Sequence, residues 1–125
     1  MLVTQSSVDH AATVAGLLAA IERRGLTAFA TFDHAAGARD VGLELAEEQV
    51  VVFGNPKAGT LLMQSDPRVG IELPLRILVW DQGSQTMLGY RDPIELQAAY
   101  DVSAREQVLE QMSSLLADLV REAAS

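Results

Sequence analysis

No cysteine occurs among the 125 residues. That excludes disulfides, thiolate zinc sites, iron–sulfur clusters and a cysteine nucleophile together. Basic residues are scarce: nine Lys and Arg stand against 17 Asp and Glu, giving a formal net charge of -8 and a pI near 4.5. Binding to a nucleic-acid backbone depends on clustered cations, and only Arg23 and Arg24 are adjacent among the nine, so no nucleic-acid partner is expected. Histidine is limited to His10 and His34. A metal site would therefore need several carboxylates converging on one of them, and neither metal nor cofactor is expected. Long apolar runs are also missing. The most apolar segment, 11–21, is interrupted by Thr13 and falls far short of the ~20 residues that span a bilayer. Residues 1–7 lack the basic region and apolar core of a secretory signal. Together these absences predict a cytoplasmic protein with no membrane partner.

What is present fits an ordinary globular chain, with 49% hydrophobic and 21% charged residues. The length predicts one domain over 1–125, large enough to bury a core without covalent staples. The most informative stretch is 49–64. Val50 to Phe53 is a wholly apolar, largely β-branched run that reads as a strand buried on both faces. Gly54 ends it, Asn55 is a preferred helix cap, and Pro56 fits the first helical position, where no backbone donor is needed. A helix N-terminus beside Lys57 can hold an anion.

Around this stretch the pattern predicts alternating elements. Met1 to Ser6 reads as a first strand. Ser6-Ser-Val-Asp9 has the spacing of a capping box, followed by a helix with Val14, Leu17, Leu18 and Ile21 on one stripe and Gly25 as its left-handed stop. Leu26 to Phe32 alternates as a strand with one core face, and Asp33 caps a short helix from His34 to about Val41. After residues 43–48, read as loop or short extended chain, come the central strand and helix, ending near Asp66-Pro67. Leu73 to Asp81 and Gln85 to Arg91 form a hairpin about Gln82-Gly83-Ser84. Leu73, Leu75, Ile77 and Val79 line one face of its first arm; Pro74, Arg76, Leu78 and Trp80 line the other, which needs cover. Asp92-Pro93 opens a further helix running to about Tyr100, and Ser103-Ala-Arg-Glu106 reads as a second capping box at the start of the longest helix. Helices at both ends with strands grouped between them, and a hairpin that breaks βα alternation, predict an α+β fold: an antiparallel sheet with helices on one face.

Three groups of residues are candidates for chemistry. Gly54 to Thr60 superficially resembles a phosphate-binding loop but fails its spacing, since Lys57 precedes Gly59 and Pro56 removes a donor. A capped helix start with a solvent-facing lysine explains it better. Asp33-His34 sets an acid beside a histidine; adjacent residues do not face each other, so Asp33 caps the helix and His34 projects from its first turn. A general acid/base role for His34 would need a carboxylate or hydroxyl within reach in a concave pocket. Trp80 and Tyr90, on paired arms of the hairpin beside Arg76, are read as sharing a face that lines a pocket or anchors an interface. No residue is assigned a catalytic role.

The segments Phe32-Asp-His-Ala-Ala36, Phe53-Gly-Asn-Pro-Lys-Ala-Gly-Thr60, Leu73-Pro-Leu-Arg76 with Val79-Trp-Asp81, and Tyr90 with Asp92-Pro93 resemble domain of unknown function family 302 over nearly the whole chain. The resemblance implies a curved antiparallel sheet with helices on one side, similar to the TATA-binding-protein-like group, and a homodimer without settled activity. Leu61 stands where the family pattern has a proline. The ligand-binding candidates are Asp33, His34, Asn55, Lys57, Trp80 and Tyr90. The expected function is a homodimeric small-molecule or anion-binding module or sensor. The alternatives are an enzyme using His34 as acid/base and a purely structural dimerisation domain.

Overall fold

Strand β1 (Leu2–Gln5) opens the chain at one edge of a five-stranded antiparallel sheet in a computed structural model that describes residues 1–125. Helix α1 (His10–Arg23) follows. Its cap is Asp9, whose Oδ1 accepts the Ala12 amide at 2.8 Å, and not the expected Ser6. The Ser6 hydroxyl pairs instead with Thr13 Oγ1 at 2.7 Å, inside the fold. Gly25, at φ +68°, turns the chain out of the helix, as a left-handed stop requires. Strand β2 (Thr27–Asp33), helix α2 (His34–Asp40), strand β3 (Glu48–Gly54) and helix α3 (Pro56–Ser65) come next. A 3₁₀ turn over Pro67–Glu72 leads to the hairpin of β4 (Leu75–Gln82) and β5 (Gln85–Tyr90). A second 3₁₀ turn (Pro93–Ala98) and a third (Ser103–Arg105) precede helix α4 (Glu106–Ala123). The Ser103 side chain makes no cap there, so the expected capping box is replaced by a tightened turn ahead of the helix.

The strand order is β1-β5-β4-β3-β2, with every neighbouring pair antiparallel. Alternation divides the side chains between two faces. On the inner face Val51 lies opposite Ile77, Phe53 opposite Leu75, and Val79 opposite Leu88. Leu17, Ala20 and Ile21 of α1 and Leu116, Leu119, Val120 and Ala123 of α4 pack onto them to make the main core. Near the start of α4, Leu109 and Met112 join Leu62, Val69 and Val102 in a second cluster. One long helix therefore ties the sheet to α3. Ion pairs from Arg23 and Arg24 to Glu122 add a surface tie between α1 and α4.

No helix covers the outer face. A continuous row crosses all five strands there: Val3, Gly89, Leu78, Val50 and Phe32. In the adjoining row Trp80 lies between Met87 and Glu48. Strand β3 is thus buried on one face, not two; Val50 and Val52 stay partly exposed because both helices that could cover them pack on the opposite side. The alternation read for β2 is also interrupted. A register shift between Ala28 and Ala30 leaves Phe29 unpaired, so Ala28 opposes Phe53 on the inner face while Ala30 opposes Val52 on the outer. A bulge of this kind flips every later side chain relative to strict alternation. Phe32 accordingly points out, 54% exposed.

Gly89 is where the outer face is most closely packed. A Cβ at this position would lie 3.1 Å from the Trp80 ring and 2.6 Å from Met1 Sδ. Gly89→Ala is expected to push the indole off the sheet at a cost of about 1–3 kcal/mol, the usual range for overpacking. Trp80 is the sole tryptophan, so its emission maximum should move red in the variant. An unchanged spectrum with unchanged Tm would contradict this packing.

Candidate functional site

The structure distributes the six candidate residues over four places. Asp33 caps α2, its Oδ1 accepting the Ala36 amide at 2.8 Å, and its Oδ2 accepts the Gln49 side-chain amide at 2.9 Å. The Ala36 hydrogen bond, then that from Gln49, holds its carboxyl below the usual value, which marks a structural carboxylate. His34 begins α2 and is exposed on a shallow, open depression with Phe32, Val41 and Leu45. It forms no ion pair with a carboxylate.

Asn55 caps α3 as expected, its Oδ1 accepting the Lys57 amide at 2.9 Å. That occupies an amide an anion would otherwise use. Lys57 is exposed and does not line the neighbouring pocket. The pocket itself, about 210 Å³, is formed where Gly54 to Thr60 meets Leu73-Pro-Leu75, with Phe29, Met63, Met112 and Leu115 completing its wall. The two stretches with the strongest family resemblance therefore converge, yet on an apolar recess.

Trp80 and Tyr90 do not share a face. Trp80 is on the outer face against Gly89, whereas Tyr90 belongs to the helix-covered core. Residues an even number apart on one strand share a face, but between strands the register decides. Here Leu78, on the face of Trp80, lies opposite Gly89, which places Tyr90 on the other side.

Tyr90 lies instead at the wall of a pocket of about 280 Å³ between the end of the hairpin and the Pro93–Ala98 turn. Val50, Leu75, Leu78 and Leu96 give it an apolar lining, and Arg76, Arg91, Glu72, Asp92 and Glu95 bring charges of both signs. Some of these charges are engaged. Glu72 accepts the Tyr100 hydroxyl at 2.8 Å and lies 3.8 Å from Arg91, and one Asp92 oxygen accepts the Ile94 amide. Others are free: Arg76 and Glu95 enter no ion pair. Tyr90 is only 7% exposed, and no hydrogen bond contributes to its ionisation. Burial, and secondarily the Asp92 charge, raises its phenol above the ordinary value. It therefore stays protonated at neutral pH and available as a donor.

Sequence reasoning did not assemble Arg91, Glu72 and Glu95 around Tyr90. Their charges were visible, but their convergence depends on the hairpin register and on the turn after Asp92 folding back. His10 was also passed over. Both its ring nitrogens are buried without a hydrogen-bond partner, and Nδ1 is 3.7 Å from Asp81 Oδ1. It is the first residue of α1, directly after the Asp9 cap.

The family model described as "Domain of unknown function DUF302" matches residues 2–119. A solved structure of an uncharacterized conserved DUF302 protein from Bacillus stearothermophilus superposes with a TM-score of 0.88 at 17% identity. It covers 98% of this chain and 96% of that one. Among curated proteins, the chain is 33% identical over 109 residues to fluoride-specific ion channel FluC 1 of Brucella suis biovar 1 (strain 1330). That match takes in 86% of this chain and 43% of the relative. It has the same identity to FluC 2 of Brucella melitensis biotype 1, covering 40% of that protein. The chain thus spans about two fifths of the length of these curated relatives, and no helix in it is long and apolar enough to cross a membrane.

Proposed function

The chain belongs to the DUF302 family, and from that premise we propose that it is a small-molecule-binding module whose site is the pocket between the β4–β5 hairpin and the Pro93–Ala98 turn. One observation carries this reading. Tyr90 and Arg76, neither engaged by another side chain, line the same recess together with apolar residues. Ligand sites are typically apolar pockets with a few polar groups that fix orientation. An anion at Lys57 has less support, because the cap already takes its amide.

Thermal-shift measurements with a panel of small carboxylates, amines and amino acids test the proposal. At least one compound should raise Tm in the native chain and lose that effect in Arg76→Ala and Tyr90→Phe. A panel without such a compound, or shifts that survive both substitutions, would contradict it.

Self-association is a second reading, favoured by the uncovered row on the outer face, in which Val3 is 49% and Phe32 54% exposed. Contiguous exposed apolar surface of this sort commonly marks an interface. A second copy laid sheet to sheet would also cover Leu78 and Val50, two residues of the pocket lining. Light scattering at micromolar concentration should give a dimer, and Phe32→Asp a monomer. A monomeric native chain would end this reading.

A further inference from the structure

Resting on the ligand-binding role proposed above, we infer that the pocket beside Tyr90 takes a small zwitterion with an apolar side chain, of the free amino acid class. Charges of both signs that form no ion pair meet at this pocket. The cation, Arg76, comes from β4; the free acid, Glu95, comes from the Pro93–Ala98 turn; both line one recess. Asp92 adds a second carboxylate, with one oxygen spent on the Ile94 amide and the other unengaged. The remaining pair, Glu72 and Arg91, lies 3.8 Å apart and sums to no net charge.

A simple anion would meet Arg76 but also face Glu95 and Asp92, and like charges across a small site disfavour it. A simple cation would leave Arg76 opposed. A ligand carrying both charges meets each group with its complement: its carboxylate accepts from Arg76 and the Tyr90 hydroxyl, and its ammonium donates to Glu95 and the free oxygen of Asp92. Tyr90 adds a neutral donor: the residue is 7% exposed, lines the pocket, and its hydroxyl makes no hydrogen bond within the chain.

Size agrees. A volume of about 280 Å³ accommodates roughly nine water-sized atoms at about 30 Å³ each, the scale of a branched aliphatic amino acid. Val50, Leu75, Leu78 and Leu96 would contact its side chain.

Calorimetric titration with three isosteric probes separates the alternatives: L-leucine, its deaminated acid 4-methylpentanoate, and its decarboxylated amine 3-methylbutylamine. Each charged contact should change affinity by about tenfold or more. Leucine is therefore expected to bind at least about tenfold tighter than either probe. Glu95→Gln should weaken leucine but strengthen 4-methylpentanoate, which then faces one carboxylate fewer. If 4-methylpentanoate matches leucine and depends on Arg76, the ligand site stands and the zwitterion is overturned. Equal binding of 3-methylbutylamine overturns the carboxylate contact. No binding of any probe, with an Arg76-dependent hit from the wider panel, overturns the ligand class alone; the absence of every such hit overturns the site as well.

Discussion

Phe53→Ala is expected to lower stability by about 3–5 kcal/mol, the range for truncating a large aromatic side chain in a close-packed core. For a chain of this length that corresponds to a fall in Tm of more than about 10 °C. Phe53 is fully buried on the inner face, between Ala28 of β2 and Leu75 of β4, within the cluster shared by α1, the sheet and α4. Because the helices meet the sheet there, the cavity cannot close without moving one of them. Phe32→Ala provides the contrast. Phe32 lies on the outer face and is more than half exposed, so its truncation should change chain stability by less than about 0.5 kcal/mol. Chemical denaturation of the two variants tests this. Equal losses would mean that the faces are assigned wrongly.

The second large effect concerns Asp66, which ends α3 and caps the turn over Pro67–Glu72. It is only 4% exposed. One oxygen accepts the Arg68 amide at 3.1 Å and Nε at 3.0 Å; the other accepts Arg68 Nη2 at 2.8 Å and the Asp101 amide at 2.9 Å. The Arg68 side-chain bonds first, then the Asp101 amide, hold this carboxyl far below the usual carboxylate range. The network fastens α3 to the segment leading into α4, a junction that sequence proximity does not supply. Asp66→Asn keeps the shape but removes the charge and one acceptor, and should cost roughly half as much as Phe53→Ala.

The same group sets the acid limit. A carboxyl whose folded-state pKa lies below its unfolded value stabilises the fold above the unfolded value, about 3.9 for Asp and 4.3 for Glu. That stability is lost as pH falls toward the folded-state value. Glu122, held near 2 chiefly by its hydrogen bond from Arg24, follows the same sign, although its exposure makes its share small. Tm should therefore be steady above about pH 4.5 and drop between about pH 4 and 2. Asp66→Asn should start lower and fall less steeply. An equally steep fall in the variant would assign the acid sensitivity elsewhere.

Much of the architecture was legible because it rests on local signals. Asn55-Pro56, Asp66-Pro67 and Asp92-Pro93 each begin a helix or 3₁₀ turn with Asx capping and proline at the first position. The apolar stripe on α4 is also a local signal, with Leu109, Met112, Leu116, Leu119 and Ala123 buried at helical spacing. The errors came where a distant partner decides. Ser6 has capping-box spacing, yet its hydroxyl finds Thr13, so the helix begins after Asp9. An apolar run in β3 cannot reveal that helices cover only one side. Nor does the sequence show the bulge at Phe29, which reverses the facing of Phe32.

The candidate site was less legible for the same reason. Tyr90 and Arg76 stood out as residues, but a two-stranded register was needed to separate Tyr90 from Trp80. The turn after Asp92 was needed to bring Glu95 into the same pocket as Arg76. Conversely, the stretch from Gly54 to Lys57 builds a cap and one wall of an apolar recess.

The most direct test of the account is to follow backbone amide chemical shifts while titrating the native chain with L-leucine. The account predicts saturable changes centred on residues 75–78 and 89–96, absent in Arg76→Ala. Changes centred on Asn55 and Lys57, or none at millimolar leucine, would contradict it.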